Sequence, residues 1–180
     1  IIETKNIIID AASGISGAGR KSELAYSFCE CTENYKAYGV ATHRHTSEIE
    51  QELSLLAGKE IILSFTPHLA PMKRGMLSTI YANLKSKTSA SDLIDLYRQY
   101  YKGEFFVRIL DEGKLPEVKY VSGSNFIDIG LVVDQRLNRV VVLSAQDNLG
   151  KGAAGQAIQD LNIMCGFPEQ TGLANPGLYL

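Results

Sequence analysis

Short apolar runs alternate with polar segments along the whole chain, and four of them in the first half have the length of β-strands. Residues 6–11 (NIIIDA), 35–43 (YKAYGVATH) and 59–69 (KEIILSFTPHL) are three of them. The segment 75–84 (GMLSTIYANL) is the fourth, and its β-branched and aromatic residues are typical of strands. We therefore predict a strand at each of these positions.

Two longer strands are predicted in the second half, at 126–133 (FIDIGLVV) and 138–145 (NRVVVLSA). The short DQRLN connection between them has the length of a hairpin loop. Shorter strands are predicted near 105–110 and 118–121. Adjacent strands in this part of the chain thus follow one another without an intervening helix.

A helical period appears in three segments and a short helix is predicted in a fourth. Ile49, Leu53 and Leu56 recur at i, i+4 and i+7, which predicts an amphipathic helix. The clearest helix covers residues 89–101 (SASDLIDLYRQYY), and it opens with a serine and an aspartate in capping-box spacing. Further helices are predicted at 22–31 and 151–165.

This mixed order predicts an α+β fold, with a mixed, largely antiparallel sheet and helices on one face. No composition shift marks a linker in the 180 residues, so one compact unit is the simplest division. A net charge of −2 leaves no electrostatic footprint for nucleic acid, and no apolar run is long enough to span a membrane. Three cysteines do not make a disulfide framework, so the expected compartment is the cytoplasm.

Two of the three histidines lie in the segment 42–51 (THRHTSEIEQ). Ser47 with Glu50 matches a capping box, and Thr46 is an alternative N-cap. Either assignment places His45 at the start of a helix, where free N–H groups attract anions and disfavour an imidazolium ion. We therefore expect His45 to be neutral and able to accept a proton near pH 7.

Arg44, between the two histidines, offers a bidentate contact for phosphate or carboxylate. Together with His43 and His45 it suits an anionic substrate and a proton transfer. A solvated polar loop explains the same residues without any chemistry. From the residues alone both interpretations stay open.

A small-residue stretch, SGISGAGR, follows the first predicted strand, and its backbone is able to approach a ligand closely. A plain glycine turn is an equally good explanation. The later stretch NLGKGAAGQA, with Asn148 and Gly152, opens a helix and indicates either tight packing or a cofactor contact. The candidate substrate-binding residues in the first stretch are Ser13, Gly14, Ser16, Gly17 and Arg20.

The cysteines are poor candidates for a nucleophile or a metal site. Cys29 and Cys31 form a C-x-C pair without a second half at zinc-like spacing, and no metal is predicted. Like Cys165, they lie near the C-terminal end of a predicted helix, where the dipole disfavours a thiolate.

Five motifs occur in one order: SGISGAGR, YGVATHRHTSEIEQELS, FTPHLAPMKRGML, GSNFIDIG and NLGKGAAGQAIQDLNIMCGFPEQTGL. Together they closely resemble the C-terminal part of the N-acetyl-gamma-glutamyl-phosphate reductase family, over essentially all residues. The resemblance implies an NADPH-dependent reduction of an acyl phosphate to a semialdehyde in arginine biosynthesis. It also implies a fold like the C-terminal domains of glyceraldehyde-3-phosphate and aspartate-semialdehyde dehydrogenases.

The resemblance implies a division of the chain and a set of roles. Residues 1–146 would bind substrate and dimerise, and residues 147–180 would pack on an NADP-binding domain outside this chain. The nucleophilic cysteine motif of the family, Gly-Cys-Tyr-Pro-Thr, is not found here, so this chain is expected to be part of a longer enzyme and inactive alone. A homo-oligomer, a dimer or tetramer, is expected through strands of the second half.

The resemblance also implies roles for single residues. His45 is the expected acid/base partner of the cysteine, with His43 as the alternative. Arg44 and Glu48, together with the glycine stretch, would bind the acyl phosphate substrate. Asn148 and Gly152 would face the nicotinamide of NADPH, which the absent domain mainly binds.

Two alternatives remain from the sequence. One is a related semialdehyde dehydrogenase of the aminoadipate or aspartate type, which differs by as little as one methylene of substrate length. The other is a non-catalytic dimerisation domain. The chain also has Thr46-Ser47-Glu48 where the family usually has Thr-Pro-Glu, from which we expect a slightly looser helix start.

Overall fold

A seven-stranded mixed sheet forms the centre of the computed structural model, which describes residues 1–179. The strands are β1 (Ile7–Ser13), β2 (Lys36–Ala37), β3 (Leu63–Leu69), β4 (Met76–Asn83), β5 (Val107–Ile109), β6 (Ile127–Asp134) and β7 (Arg139–Gln146). The helices are α1 (Phe28–Cys31), α2 (His45–Ala57), α3 (Ala90–Tyr100), α4 (Val118–Val121) and α5 (Gly155–Met164). Two 3-10 turns, Ile15–Ala18 and Leu24–Tyr26, and a π-helical turn, Gly150–Ala154, complete the set.

The strand order across the sheet is β2-β3-β1-β4-β7-β6-β5. The pairs β1–β3 and β5–β6 are parallel, and the other four pairs are antiparallel. The predicted α+β fold with a mixed, largely antiparallel sheet is therefore confirmed. The longest helix, α2, has 13 residues, and no helix within residues 1–179 is long and apolar enough to cross a membrane.

Helices α2 and α3 cover one face of the sheet and enclose the core. Ile7 and Ile9 of β1 are buried there, whereas Ile8 between them is 40% exposed, because successive strand residues point to opposite faces. Leu93 and Ile94 of α3 enter this core. Ile49 and Leu53 of α2 and residues of β6 and β7 also pack against it.

Three predicted elements were wrong, and the structure shows what each segment forms instead. Residues 118–121 form one helical turn rather than a strand: Ser122 N donates to Val118 O, and Val121 is fully buried. The predicted strand 35–43 is only two residues long, since Gly39 and Ala41 have positive φ angles of 55° and 57° that turn the chain away.

The predicted helix 22–31 is broken by Ser27, whose extended backbone (φ −67°, ψ 155°) separates a 3-10 turn from α1. In contrast, the predicted capping box of α3 is present. Ser89 Oγ accepts from Asp92 N at 3.0 Å, and the Asp92 carboxylate accepts from Ser89 N at 3.3 Å. Local signals therefore predict α3 correctly, whereas they do not predict the irregular region 15–44.

Candidate functional site

A cavity of about 620 Å³ opens where β1 ends and α2 begins. Its floor is the end of the sheet, with Phe65, Pro67 and Leu69 of β3. One wall is the glycine loop, defined here as residues 13–19, and the other is the histidine stretch, residues 43–45. The sheet topology thus brings together two polar segments that are about thirty residues apart in sequence.

The charged side chains around this cavity are basic. Lys21, Lys36 and Arg44 line it together with the two histidines, and within residues 1–179 no aspartate or glutamate does. The whole chain carries a net charge of −2, so this separation of charge is local. A concave surface with three cations and no carboxylate favours an anionic ligand.

The glycine loop packs tightly against the segment that precedes β4. A Cβ atom on Gly14 would lie 2.8 Å from Arg74 N, so only glycine fits there. Gly14 N donates to Gly75 O at 2.8 Å, Ile15 N to Met72 O at 3.0 Å and Ser16 N to Lys73 O at 3.2 Å.

These hydrogen bonds change the expected role of the glycine loop. One interpretation of the sequence is that its N–H groups approach a ligand, but those of Gly14, Ile15 and Ser16 donate to carbonyls within residues 72–75. The N–H of Gly17 donates to Gly14 O within the 3-10 turn. The loop therefore shapes the cavity wall, and side chains are left to bind an anion.

Helix α2 begins without the predicted cap. Ser47 Oγ donates to Arg44 O at 3.2 Å, and Glu50 accepts from Leu63 N at 3.1 Å instead of reaching back to the helix start. The predicted Ser47–Glu50 capping box is therefore wrong, since the edge of β3 takes the Glu50 carboxylate. His45 is the first residue of the helix, and its N–H donates to His43 Nδ1 at 3.2 Å.

His43 is the more enclosed of the two histidines. Its ring makes edge contacts with Phe65, Tyr38 and His45 at centroid distances of 5.3, 5.5 and 4.9 Å. Burial lowers the pKa of His43, and the neighbouring His45 and Arg44 lower it further, while Glu48 acts weakly in the opposite direction. A neutral His43 is therefore favoured.

His45 is exposed at the mouth of the cavity. Its side chain is 48% exposed, and Nε2 lies 3.9 Å from a carboxylate oxygen of Glu48, one turn along α2. That carboxylate can orient the ring, although an exposed pair contributes little stability.

The structure brings together most of the predicted site residues. Ser13, Gly14, Gly17, His43, Arg44 and His45 line the cavity. The predicted residues that do not line it are Ser16, Arg20, Glu48, Asn148 and Gly152. Ser16 belongs to the glycine loop but does not line the cavity, and its hydroxyl accepts from Asn148 Nδ2 at 2.9 Å.

Asn148 and Gly152 do not by themselves form a nicotinamide site. Both amide atoms of Asn148 are used within the chain, because Oδ1 also accepts from Gly75 N at 2.7 Å. Gly152 N donates to Asp147 O. Asn148 and Gly152 therefore hold segments of this chain together, and they fit this structural role better than a cofactor contact.

Asp147 anchors the segment that carries Asn148. It is fully buried and accepts from the backbone N–H groups of Gly123, Leu149 and Gly150 and from the Arg74 guanidinium. Burial alone would raise the pKa of Asp147, but these partners outweigh it and lower the pKa.

Sequence reasoning missed four polar residues of the cavity: Lys21, Tyr26, Lys36 and Tyr38. Lys36 and Tyr38 alternate along the segment that leads to the histidines, so a period of two was the available signal. Burial raises the pKa of Tyr38, which keeps its hydroxyl protonated.

The three cysteines lie away from the cavity lining. Cys31 is buried and its thiol donates to Ala25 O, whereas Cys29 and Cys165 are exposed. In the part of the chain that the structure describes, no group of three or more His, Cys, Asp or Glu side chains could hold a metal ion.

Comparison with known families gives one match over most of the chain. The model of the semialdehyde dehydrogenase dimerisation domain matches residues 1–148. Solved structures agree in fold: aspartate semialdehyde dehydrogenase II from Vibrio cholerae has a TM-score of 0.68 at 15% identity, over 92% of this chain and 57% of that one. A probable aspartate-semialdehyde dehydrogenase from Pseudomonas aeruginosa has a TM-score of 0.67 at 19% identity, over 88% and 55%.

Sequence relatives are much more similar than these structures. An N-acetyl-gamma-glutamyl-phosphate reductase of Acetivibrio thermocellus is 75% identical over 180 residues, which is 100% of this chain and 52% of that protein. One of Pelotomaculum thermopropionicum is 58% identical over 179 residues, 99% of this chain and 52% of the relative. The chain spans about half the length of the curated relatives it matches.

Proposed function

The chain belongs to the semialdehyde dehydrogenase dimerisation-domain family, and from this premise we propose that it is the substrate-binding and dimerisation part of a reductase. The proposed reaction is that in the relatives' name: reduction of N-acetyl-glutamyl phosphate to N-acetyl-glutamate semialdehyde and phosphate, in the cytoplasm. The observation that carries it is the cavity lining, which holds two histidines and three cations and, within residues 1–179, no carboxylate.

Substrate binding falls to the side chains of the cavity. The acyl phosphate carries its negative charge beside the reacting carbonyl, so it belongs near Arg44, next to the histidines. A guanidinium binds phosphate with two parallel hydrogen bonds, which fixes orientation as well as supplying charge. The glycine loop forms the wall opposite the histidine stretch.

The hydrogen bond between the two histidines favours a division of work. His43 Nδ1 accepts from the backbone N–H of His45, so in the neutral ring the proton sits on Nε2, which is able only to donate. Among the described residues, 1–179, the ring of His45 has no such hydrogen-bond partner, and Glu48 lies beside its Nε2. We therefore assign the base that activates a nucleophilic thiol to His45 and a donor role to His43.

The reaction also needs a nucleophile and a hydride donor, which we assign to the part of the protein outside this chain. NADPH is the proposed donor, bound there. The exposed apolar side chains of α5 support a packing surface for that part: Leu161 is 55% and Met164 84% exposed. Residues 147–180 are thus proposed to contact the nucleotide-binding domain, although Leu178 also bonds Ser122 O of this chain.

Dimerisation is proposed through the sheet face opposite α2 and α3. Ile8, Tyr81, Val141 and Val132 are register partners across β1, β4, β7 and β6, and they form one apolar row. Ile8 is 40% and Val132 42% exposed. This row extends the predicted interface from the second half to the first strand.

The interface is tested by sedimentation of the 180-residue chain. Val132→Glu is expected to shift a dimer to monomer, because it places a charge in the row. Leu137→Glu, at a 59% exposed hairpin position, is the matched control and should leave the dimer intact. A wild-type chain that stays monomeric at high concentration contradicts this part of the proposal.

The reaction is tested by turnover. The full-length protein that contains this chain should consume N-acetyl-glutamyl phosphate and oxidise NADPH, and the isolated chain should not. The aspartyl and aminoadipyl phosphates serve as competing substrates. A preference for either of them would replace the glutamyl assignment with one of these related dehydrogenase activities.

A further inference from the structure

The cavity floor has a regular spacing along β3. His43 packs against Phe65, the N–H of Tyr38 donates to Pro67 O, and Lys36 pairs with Leu69 in the β2–β3 register. Phe65, Pro67 and Leu69 follow each other every second residue, so all three face the cavity. Histidine, tyrosine and lysine therefore lie against three successive positions of one strand, each about 7 Å from the next.

Lys36 stands at the far end of this series from the histidines. Its side chain is half-buried, and its Nζ has a single weak contact, 3.4 Å from Ala25 O. Within residues 1–179, no carboxylate lies within ion-pair distance of it. An ammonium on the cavity wall without an acidic partner is available to an anionic ligand.

Lys21, the other lysine of the cavity, has a different environment. It is exposed, and its Nζ lies 3.9 Å from a carboxylate oxygen of Glu23. Ser13, where the glycine loop begins, is the β1 partner of Leu69 and so lies at the same end as Lys36. The cavity thus has one cation, Arg44, at the histidine end and one unpaired cation at the opposite end.

We propose that Lys36 binds the second anionic group of the substrate, the carboxylate remote from the reacting acyl carbon, and so determines substrate length. This inference rests on the proposed function, which places the acyl phosphate at Arg44. In a glutamyl chain four carbon–carbon bonds, roughly 5 Å in all, separate the acyl carbon from that carboxylate. Together with the long lysine side chain, this length covers most of the separation between the two ends of the cavity.

The specificity follows from charge and length together. An aspartyl chain is one methylene shorter, and its carboxylate would stop short of Lys36 when the acyl group is at the histidines. An apolar contact discriminates one methylene only weakly, whereas the loss of a hydrogen bond to a charged group discriminates more strongly. Lys36 therefore rejects short or singly charged acids.

The test compares two ligands on the 180-residue chain by NMR titration or calorimetry. N-acetylglutamate carries both carboxylates, and 4-acetamidobutyrate is the same molecule without the remote one. The wild-type chain should bind N-acetylglutamate about tenfold or more tightly than 4-acetamidobutyrate, as expected for a charge-assisted hydrogen bond.

Lys36→Met should bring this ratio close to one by weakening N-acetylglutamate alone, and Lys36→Arg should restore most of it. Lys59→Met, at an exposed position outside the cavity lining, is the matched control and should keep the wild-type ratio. Arg44→Met should weaken both ligands about equally.

Two results overturn the assignment: a wild-type chain that does not distinguish the two ligands, or a Lys36→Met chain that keeps the wild-type ratio. Neither result bears on the proposed function, because turnover by the full-length protein is measured separately. Conversely, a ratio that depends on Lys36 in a protein without reductase activity would keep the dicarboxylate site and remove the reaction.

Discussion

Helices α2 and α3 begin with the same sequence signal, a serine followed three residues later by an acidic residue, yet only α3 uses it. At α3 the Ser89 and Asp92 side chains satisfy each other's backbone N–H groups. At α2 the Glu50 carboxylate bonds Leu63 N of the sheet, and the imidazole of His43 accepts the first helical N–H. The same sequence signal forms a stabilising capping box at α3. At α2 no capping box forms, because the acidic side chain bonds the sheet instead.

The difference shows how a functional segment departs from local rules. Helix α3 packs on the core and has no part of the cavity, so its start is free to adopt the most stable cap. The start of α2 instead places two imidazoles and a guanidinium on the cavity wall. Substitutions of the cavity-lining side chains at the start of α2 should therefore alter the proposed reaction more than stability. Substitutions in the cap of α3 should alter stability alone.

The largest expected effect is on turnover at the start of α2. In the full-length protein, His45→Asn should reduce the kcat of the proposed reaction by about 10²–10⁴-fold, because it removes the proposed general base while keeping a side chain of similar size. The melting temperature should change little. Steady-state kinetics and thermal denaturation measure the two quantities. An unchanged kcat would remove His45 from catalysis and break the contrast with α3.

A smaller effect, on stability, is expected at Glu50, whose carboxylate bonds the sheet instead of capping α2. Glu50→Ala leaves Leu63 N without its acceptor at the start of β3, which should lower the free energy of unfolding by about 1–2 kcal/mol. Glu52→Ala is the matched control, since that exposed carboxylate bonds only the neighbouring Gln51 amide. Urea denaturation of the isolated chain distinguishes them. Equal losses in both variants would show that the Glu50 bond is not stabilising.

Replacement by alanine should cost more stability at Ser89 than at Ser47. Ser89→Ala removes a formed cap and should cost about 1 kcal/mol of stability, whereas Ser47→Ala removes a single exposed bond to Arg44 O and should cost only a few tenths of that. Urea denaturation again provides the values. A Ser47→Ala loss as large as that of Ser89→Ala would mean that α2 is capped after all.

The smallest effect concerns the protonation of His43. Arg44→Met removes one of the positive charges that lower the pKa of His43, so the pKa should rise, yet stay below the ordinary imidazole value because burial is the larger cause. Since folding lowers this pKa, its effect on stability is most favourable above the ordinary imidazole pKa and diminishes as the pH falls towards the folded value. NMR titration of the ring checks the shift. A fall in pKa would contradict it.

Regular elements were predictable because their signals are local. The hairpin of β6 and β7 and the body of α3 agree with the sequence prediction within one or two residues. Residues 118–121 failed because Val121 is buried by tertiary packing that no local pattern contains. The alternation of Lys36 and Tyr38 was visible in the sequence, but the position of Lys36 opposite Leu69 depends on a strand pairing with a segment 33 residues later.

The candidate site was predictable only in part. His43, Arg44 and His45 are near neighbours in sequence, and the glycine loop is continuous, so both stood out. That they share one cavity follows from the parallel pairing of β1 with β3, a long-range contact. No local sequence pattern indicates that N–H groups of this loop donate to carbonyls within residues 72–75.

The amide of Asn148 joins Gly75 to Ser16, two positions that are 59 residues apart and both far from it in the chain. Any recombination between this protein and a relative therefore has a constrained crossover point. A junction at residue 146 would separate the glycine loop from the amide that secures it, whereas a junction beyond Gly150 would carry the loop, its fastening and the Asp147 anchor into the chimera as one inherited block.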